Sequence, residues 1–136
     1  MSVEYTAIPR KDTSYLKQLG ELDRESHNLV KIDKKRIADR IEREIDGMVQ
    51  FKRNFEVIAK KEDISIQEAQ DKYDNIEFTY EQGPIQVDIF DTFVSVDIGD
   101  VSGSWETLLQ VFQILEDEGL YIWDSVGGEF IELSSF

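Results

Sequence analysis

The sequence predicts an α+β protein in which helices pack on one face of an antiparallel sheet. From Ile76 to Ile98, apolar residues alternate with polar residues in three short runs, the period of strands with one buried face. Turn residues separate these runs, which favours an antiparallel meander. From Trp105 to Leu115, apolar residues recur every three or four positions, the spacing of a helix with one buried stripe.

The rest of the C-terminal part completes a β-β-β-α-β-β order. Ser104 is expected to cap the helix at its start, and Gly119 lies where a left-handed residue ends a helix. Two apolar, β-prone runs follow, Leu120 to Trp123 and Phe130 to Leu133, and the intervening Gly127-Gly128 pair favours a hairpin.

The N-terminal part is predicted to be mainly helical. Residues 1–12 show no clear period and are expected to form a loose arm, with an edge strand through Val3 and Tyr5 as the alternative. A helix is predicted from Thr13, and a longer one from the capping residue Asp33 to Ile58, with Gly47 inside it. These two helices are expected to form a hairpin that lies against the sheet or pairs with a second copy. Ser65 begins a third, short helix.

Length and composition predict one domain, residues 1–136, with enough apolar residues (40%) for a real core. The chain has no cysteine, which excludes disulfides, thiolate metal sites and cysteine nucleophiles and is typical of a reducing cytosol. It has no basic-then-apolar signal region and no apolar run near the roughly 18 residues that span a bilayer. A cytoplasmic protein without membrane contact is therefore expected.

Charge is distributed very unevenly along the chain. Residues 1–63 carry 14 Lys and Arg against 13 Asp and Glu, whereas residues 64–136 carry only Lys72 against 16 acidic residues. A half with a net charge of −15 should repel nucleic acid and steer a basic protein partner towards itself. The alternative interpretation is that these charges serve only to keep the protein soluble.

Catalytic patterns are missing from the sequence, so no enzyme activity, catalytic residue or cofactor is predicted. His27 is the only histidine and cannot form a triad or a two-histidine metal site alone. Asp88, Asp91, Asp97 and Asp100 cluster around the second and third predicted strands, but their spacing does not match a calcium loop. They are interpreted as exposed positions on the wet face of the sheet, and no metal site is predicted.

Aromatic and acidic side chains together suggest a protein-binding surface. Phe93 is out of phase with the apolar residues of its strand, and Tyr121 and Trp123 share one strand face. If the N-terminal helices cover that face, these rings belong to the core; if not, they form a contact patch. The acidic end of the helix at 116–118 opposes the helix dipole and is either a solvated end or a partner surface. The candidate binding residues are Asp88, Asp91, Phe93, Asp97, Asp100, Glu116, Asp117, Glu118, Trp123 and Asp124.

Three segments resemble small acidic uncharacterised bacterial proteins encoded beside secreted polymorphic toxins, which serve as immunity proteins. The segments are PIQVDIF (Pro84 to Phe90), the helix from Trp105 to Leu115, and YIWD (Tyr121 to Asp124). The resemblance covers about the last third of the chain and carries no functional residues across. It implies an inhibitor that occupies the basic active site of a toxin.

The leading hypothesis is therefore a non-enzymatic, acidic protein-binding module, with an immunity-type inhibitor as its specific form. Two alternatives belong to other functional classes. One is a homo-oligomeric structural or regulatory protein joined through the long helix, with a homodimer as the simplest case. The other is a small hydrolase that uses carboxylates and a divalent metal ion.

Overall fold

A seven-stranded antiparallel sheet is the centre of the computed structural model, which describes residues 3–20, 29–99 and 104–133. The strands are β1 (Val3–Ile8), β2 (Met48–Gln50), β3 (Ile76–Tyr80), β4 (Ile85–Ile89), β5 (Val94–Ile98), β6 (Tyr121–Asp124) and β7 (Glu129–Ile131). The helices in these ranges are α1 (Thr13–Gly20), α2 (Lys34–Glu44), α3 (Phe55–Glu62), α4 (Ile66–Lys72) and α5 (Trp105–Asp117). The strands lie side by side in the order β2-β3-β4-β5-β1-β6-β7.

One face of the sheet is apolar and carries the core. Val87 of β4 lies opposite Val96 of β5, and both side chains are fully buried. Ile41 of α2 and Phe112 of α5 belong to the same buried cluster, so these two helices pack on this face. We call it the helix-covered face. The α+β class and helix packing on an apolar sheet face are therefore confirmed.

The opposite face, which we call the polar face, carries the other phase of the strands. Its residues include Glu4, Thr6, Glu77, Thr79, Gln86, Asp88, Ser95, Asp97, Trp123 and Phe130.

Tyr15 of α1 is buried and connects that helix to the β4–β5 turn. Its hydroxyl donates to the Thr92 carbonyl at 2.8 Å and accepts from the Val30 amide at 3.2 Å.

From Ile76 onwards, the order of elements is β3, β4, β5, α5, β6 and β7, as the sequence predicts. Ser104 occupies the N-cap position of α5, although its side chain makes no capping hydrogen bond. Gly119 follows the helix with a φ of +84°, a left-handed conformation that glycine adopts without steric cost. The order of the whole chain differs from the prediction because two strands and an additional helix lie before Ile76.

A strand through Val3 and Tyr5 is confirmed, because residues 3–8 form β1, but the predictions of a loose arm and of an edge position are wrong, since β1 lies in the interior of the sheet. Strand β1 pairs with β5 on one side and with β6 on the other. Ala7 is 1% exposed, and the Tyr5 ring packs edge-on against Phe112 with centroids 5.0 Å apart. The six-residue strand is too short, with too few apolar residues in phase, to give a clear sequence period.

The predicted long helix from Asp33 to Ile58 is also wrong, because the chain turns at Gly47 and forms β2. Gly47 has a φ of +88°, which no helix interior allows. Helix α2 ends before it, and Asn54 caps the new helix α3 by accepting a hydrogen bond from the Val57 amide. The apolar residues that recur every three or four positions from Ile37 to Ile58 therefore lie in α2, β2, α3 and the segments between them.

The predicted hairpin between the first two helices is replaced by two other pairings. Helix α2 packs against α5, and α3 packs against α4, with the buried Ala59 and Ala69 on those two short helices. Ser65 caps α4 as predicted, since its Oγ accepts a hydrogen bond from the Glu68 amide at 3.0 Å. The expected C-terminal turn of the first helix and the predicted position of His27 lie outside the described residues.

Candidate functional site

Four carboxylates lie in two opposed pairs on the polar face. Glu77 of β3 is directly opposite Asp88 of β4, and Asp97 of β5 is directly opposite Glu4 of β1. Gln86 is opposite Asp97 and connects the two pairs. Because opposed residues on neighbouring strands have Cβ atoms roughly 5 Å apart, like charges at such positions repel each other. We call the four acidic residues the carboxylate cluster.

Hydrogen bonds from uncharged side chains organise this cluster. The Gln86 Nε2 atom donates to Glu77 Oε1 at 2.6 Å and to Asp88 Oδ2 at 3.2 Å. Ser95 Oγ donates to Glu4 Oε1 at 3.4 Å. These donors orient the carboxylates but leave their negative charge unchanged.

The cluster retains an excess of negative charge. Within residues 3–20, 29–99 and 104–133, Arg53 is the one cation that pairs with it, with Nη2 3.6 Å from Glu77 Oε2. Burial raises the pKa of Asp88, and the charges of Glu77 and Asp97 raise it further. The predicted residues Asp88 and Asp97 are therefore brought together here, and their proximity is electrostatically unfavourable.

Two aromatic pairs lie beside the cluster. Phe90 and Phe93 stack at the β4–β5 turn with ring centroids 4.5 Å apart, and the turn is closed by a hydrogen bond between their backbones. Trp123 and Phe130 meet edge to face at 5.0 Å. The rings of Phe93 and Trp123 are half-buried, and α2 packs on the opposite face. Helix α2 therefore does not cover these rings, and the contact patch stays a prediction.

Asp91 serves a different purpose from the cluster. Its Oδ1 atom lies 2.8 Å from Lys34 Nζ at the start of α2, and its carbonyl accepts a hydrogen bond from the Ile32 amide. The hydrogen bond from Lys34 lowers the pKa of Asp91. Asp91 therefore fastens α2 to the β4–β5 turn.

Arginines of α2 hold the acidic end of α5. Arg40 contacts Asp117 Oδ2 at 3.3 Å and Glu118 Oε1 at 3.2 Å, and Arg36 Nε lies 3.1 Å from Glu118 Oε2. These ion pairs offset the unfavourable interaction of the two acids with the helix dipole. Glu116 differs, because its Oε2 atom is buried and has no hydrogen-bond partner in the part of the chain that the structure describes.

Asp124 closes the β6–β7 turn. Its Oδ1 atom accepts hydrogen bonds from the backbone amides of Val126 and Gly127 at 2.9 and 3.0 Å. Burial raises the pKa of Tyr5, and the charge of Asp124 raises it further. Asp124 lies opposite Tyr5, in phase with the helix-covered face, and is not part of the carboxylate cluster.

Sequence analysis missed two of the four cluster members. Glu77 is in the polar phase of a predicted strand, so its position opposite Asp88 could have been found from hairpin register. Glu4 could not, because its strand was not predicted to pair in the interior of the sheet. Asp100, a predicted member of the site, lies outside the described residues.

Comparisons with protein-family models, curated proteins and solved structures find no match for this chain. Within the described ranges, no group of three or more His, Cys, Asp or Glu side chains is arranged to hold a metal ion. None of the helices in those ranges is long and apolar enough to cross a membrane. The metal-dependent hydrolase stays a prediction, and its test is whether magnesium, manganese or calcium changes the melting temperature.

Proposed function

We propose that the protein is a non-enzymatic, cytoplasmic binding protein whose polar face takes a basic protein partner. The observation that carries this proposal is the presence of two opposed pairs of like charges, Glu77 with Asp88 and Glu4 with Asp97. Directly opposed carboxylates destabilise a sheet, so the isolated fold gains nothing from them. Lysine or arginine side chains of a partner would supply the missing positive charge.

The surroundings of the cluster support the same proposal. The residues from 64 onwards carry a net charge of −15, which would steer a basic partner towards the protein and accelerate association at low salt. The two aromatic pairs flank the carboxylates and offer apolar contact area of the kind that dominates binding energy at interfaces. In its specific form, the proposal is an immunity-type inhibitor that occupies the basic active site of a toxin.

The test compares two forms of this protein as baits for partners from an extract of the native host: the unmodified protein and a variant in which three cluster carboxylates are neutralised. The variant combines Glu4→Gln, Asp88→Asn and Asp97→Asn. We expect the unmodified protein to retain a basic protein at low salt and to release it at high salt. The variant should lose most of this capture, because the excess charge of the polar face is gone.

A matched control removes the same number of charges elsewhere. It combines Asp39→Asn and Glu42→Gln on α2 with Glu56→Gln on α3, all at exposed positions. This control should capture the partner nearly as well as the unmodified protein. Equal loss in both triple variants would show that net charge alone matters, and capture unaffected by the cluster variant would overturn the proposal.

Self-association is the second candidate function, and one specific observation favours it. Large apolar side chains are about half exposed at Val49 on the edge strand β2, and likewise at Phe51, Val57 and Ile66 in the segments that follow. An edge strand with exposed apolar residues can pair with a second copy. Sedimentation over a range of concentrations tests this, and a Phe51→Ser variant should shift any dimer towards monomer.

A further inference from the structure

A cavity of about 290 Å³ lies beside β6 and β7, close to the end of α5. Its apolar wall includes Leu120, Ile122, Phe130 and Ile131. Leu120 and Ile122 are almost completely buried and belong to the core, so this wall is firmly held. The cavity can therefore accommodate an apolar group without rearrangement of the core.

The charged side chains of the cavity do not balance one another. Lys11 Nζ lies 3.1 Å from Glu132 Oε1, so these two charges form a pair. Glu116 also lines the cavity, and its buried Oε2 atom has no hydrogen-bond partner among the described residues. A buried carboxylate oxygen without a donor is unfavourable, and such atoms in folded proteins usually have a partner. The missing partner should be a hydrogen-bond donor, preferably a cation.

We propose that this cavity, which we call the Glu116 cavity, binds the end of a lysine side chain from the protein partner. The inference rests on the proposed function, because it names one contact that a basic partner would make. The methylene stem would lie along Phe130 and Ile131, the partly exposed apolar residues of the wall, and the ammonium would pair with the Glu116 carboxylate. We assign a lysine because its compact ammonium ends a flexible apolar stem, so one side chain can reach the carboxylate while its methylenes contact the apolar wall.

The direct test is an NMR titration with Nα-acetyl-lysine N-methylamide, which carries the side chain without a partner protein. The backbone amides of Gly119, Tyr121 and Ile131 should shift and saturate, since all three residues line the cavity. The matched probe is the norleucine analogue, which keeps an apolar chain and lacks the ammonium. We expect it to bind about tenfold more weakly, a difference of about 1.4 kcal/mol. Equal binding of both probes, or no shift with lysine, would overturn the proposal.

The same NMR titration of variants of the protein is the second test of the proposal. Glu116→Gln should weaken lysine binding by about tenfold. Glu106→Gln, on the exposed first turn of the same helix, should leave the affinity within about twofold of the unmodified value. Lys11→Met removes a cation from the cavity wall and leaves Glu132 unpaired, so it should strengthen lysine binding without being required for it. If lysine binds only after Lys11 is replaced, then Lys11 is itself the donor to Glu116 and the proposal fails.

The titration separates this inference from the proposed function. It uses no partner, so it can fail while salt-dependent capture through the carboxylate cluster persists. In that case the partner binds the polar face and the Glu116 cavity is not used. Conversely, lysine binding with no capture of a basic protein would leave the cavity as an amine site and remove the proposed function.

Discussion

At the scale of single residues, the carboxylate cluster acts against the stability of the sheet. Asp88 is half-buried and lies opposite Glu77, and its pKa is raised by burial first and by neighbouring charges second. A carboxyl group with a raised pKa is less stable in its charged form in the folded protein than in the unfolded chain. The side chains proposed to meet the partner therefore reduce the stability of the free protein.

The variant Asp88→Asn should stabilise the protein near neutral pH. Asparagine keeps an oxygen that can accept the hydrogen bond from Gln86 and removes the repulsion by Glu77. We expect a gain of about 0.5 kcal/mol, typical of one opposed pair, which corresponds to about 2 °C in melting temperature. Thermal unfolding followed by circular dichroism measures this difference.

The gain should depend on pH in a defined direction. The stability contributed by Asp88 is fully present below its unfolded-state pKa of about 3.9 and is lost as the pH rises through its raised folded-state pKa. The advantage of Asp88→Asn should therefore be largest near neutral pH and shrink as the pH falls towards about 4. An advantage that is constant over this range would contradict repulsion as its cause.

Arg40 has the opposite effect on stability, because it links three acidic residues. It contacts Glu44, Asp117 and Glu118, and its hydrogen bond to Glu44 lowers the pKa of that residue. Hydrogen bonds from Gln113 and Arg40 lower the pKa of Asp117. Both acids contribute stability above their unfolded-state pKa values, and that stability is lost as the pH falls through their lowered values.

Arg40→Met should therefore lower the melting temperature by a few degrees near neutral pH. The loss should become smaller under acid conditions, where Asp117 and Glu44 are protonated in both proteins. Melting curves at a series of pH values test this expectation. A loss of equal size at every pH would contradict a role for the charge of Arg40, since the ion pairs with Glu44 and Asp117 exist only while these acids are ionised.

At the scale of elements, Gly47 decides whether the chain continues as a helix or turns into β2. Its φ is +88°, and a Cβ atom built at this position would lie 3.0 Å from Tyr80 Cε1. Gly47→Ala should therefore destabilise the protein by about 1–2 kcal/mol, measured by urea unfolding. A continuous helix predicts the reverse, a gain of up to about 1 kcal/mol.

Gly119→Ala is the matched control for this substitution. Gly119 also has a positive φ, +84°, but a Cβ atom there would meet no heavy atom within 4 Å. Its cost should come from the backbone conformation alone and should be smaller than that of Gly47→Ala. If the two variants are equally destabilised, contact with Tyr80 contributes nothing.

The elements that sequence analysis predicted correctly are those whose local pattern agrees with their tertiary role. Strands β4 and β5 alternate between apolar and polar residues because their apolar side chains all face the core, and α5 has one buried stripe. The end of α2 was predicted incorrectly because Ile45 and Met48 continue the helical spacing. Both side chains are buried, but Ile45 lies in the turn after α2 and Met48 lies in β2. The interior position of β1 was not predicted for a different reason. It depends on pairing with β5 and β6, which lie far along the chain and are not specified by the local sequence.

The candidate site could be predicted only in part for the same reason. Asp88 and Asp97 were found because they belong to strands whose hairpin register follows from the sequence. The roles of Asp117 and Glu118 were not predicted, because their ion pairs join α5 to α2, and α2 was expected to pack against the first helix. Glu116 was selected for its charge, while its place in a cavity wall follows only from the packing of α5 and β6.

At the scale of the whole molecule, a net charge of −14 opposes the compact state. Raising the salt concentration from about 0.02 M to about 0.5 M should screen this repulsion and raise the melting temperature by a few degrees. Ion pairs such as that of Arg40 with Glu44 weaken under the same change, so the net rise measures the excess of repulsion over attraction.

The cluster triple variant is the informative comparison for this salt series. It has three fewer negative charges and should show a smaller rise than the unmodified protein. The control triple variant on α2 and α3 has the same net charge but keeps the opposed pairs, so its rise should fall between the two. A melting temperature that decreases with salt would contradict a dominant repulsion.

The position of β1 also determines when the sheet can be completed during translation. Ala7 leaves the ribosome before its register partners Val94 and Ile122 are synthesised. In the described sheet, β1 is the sole link between the group β2-β3-β4-β5 and the pair β6-β7. Strand β1 therefore lacks one of its two neighbours until β6 has been synthesised, which predicts slow refolding and a nascent chain that is a natural client for chaperones.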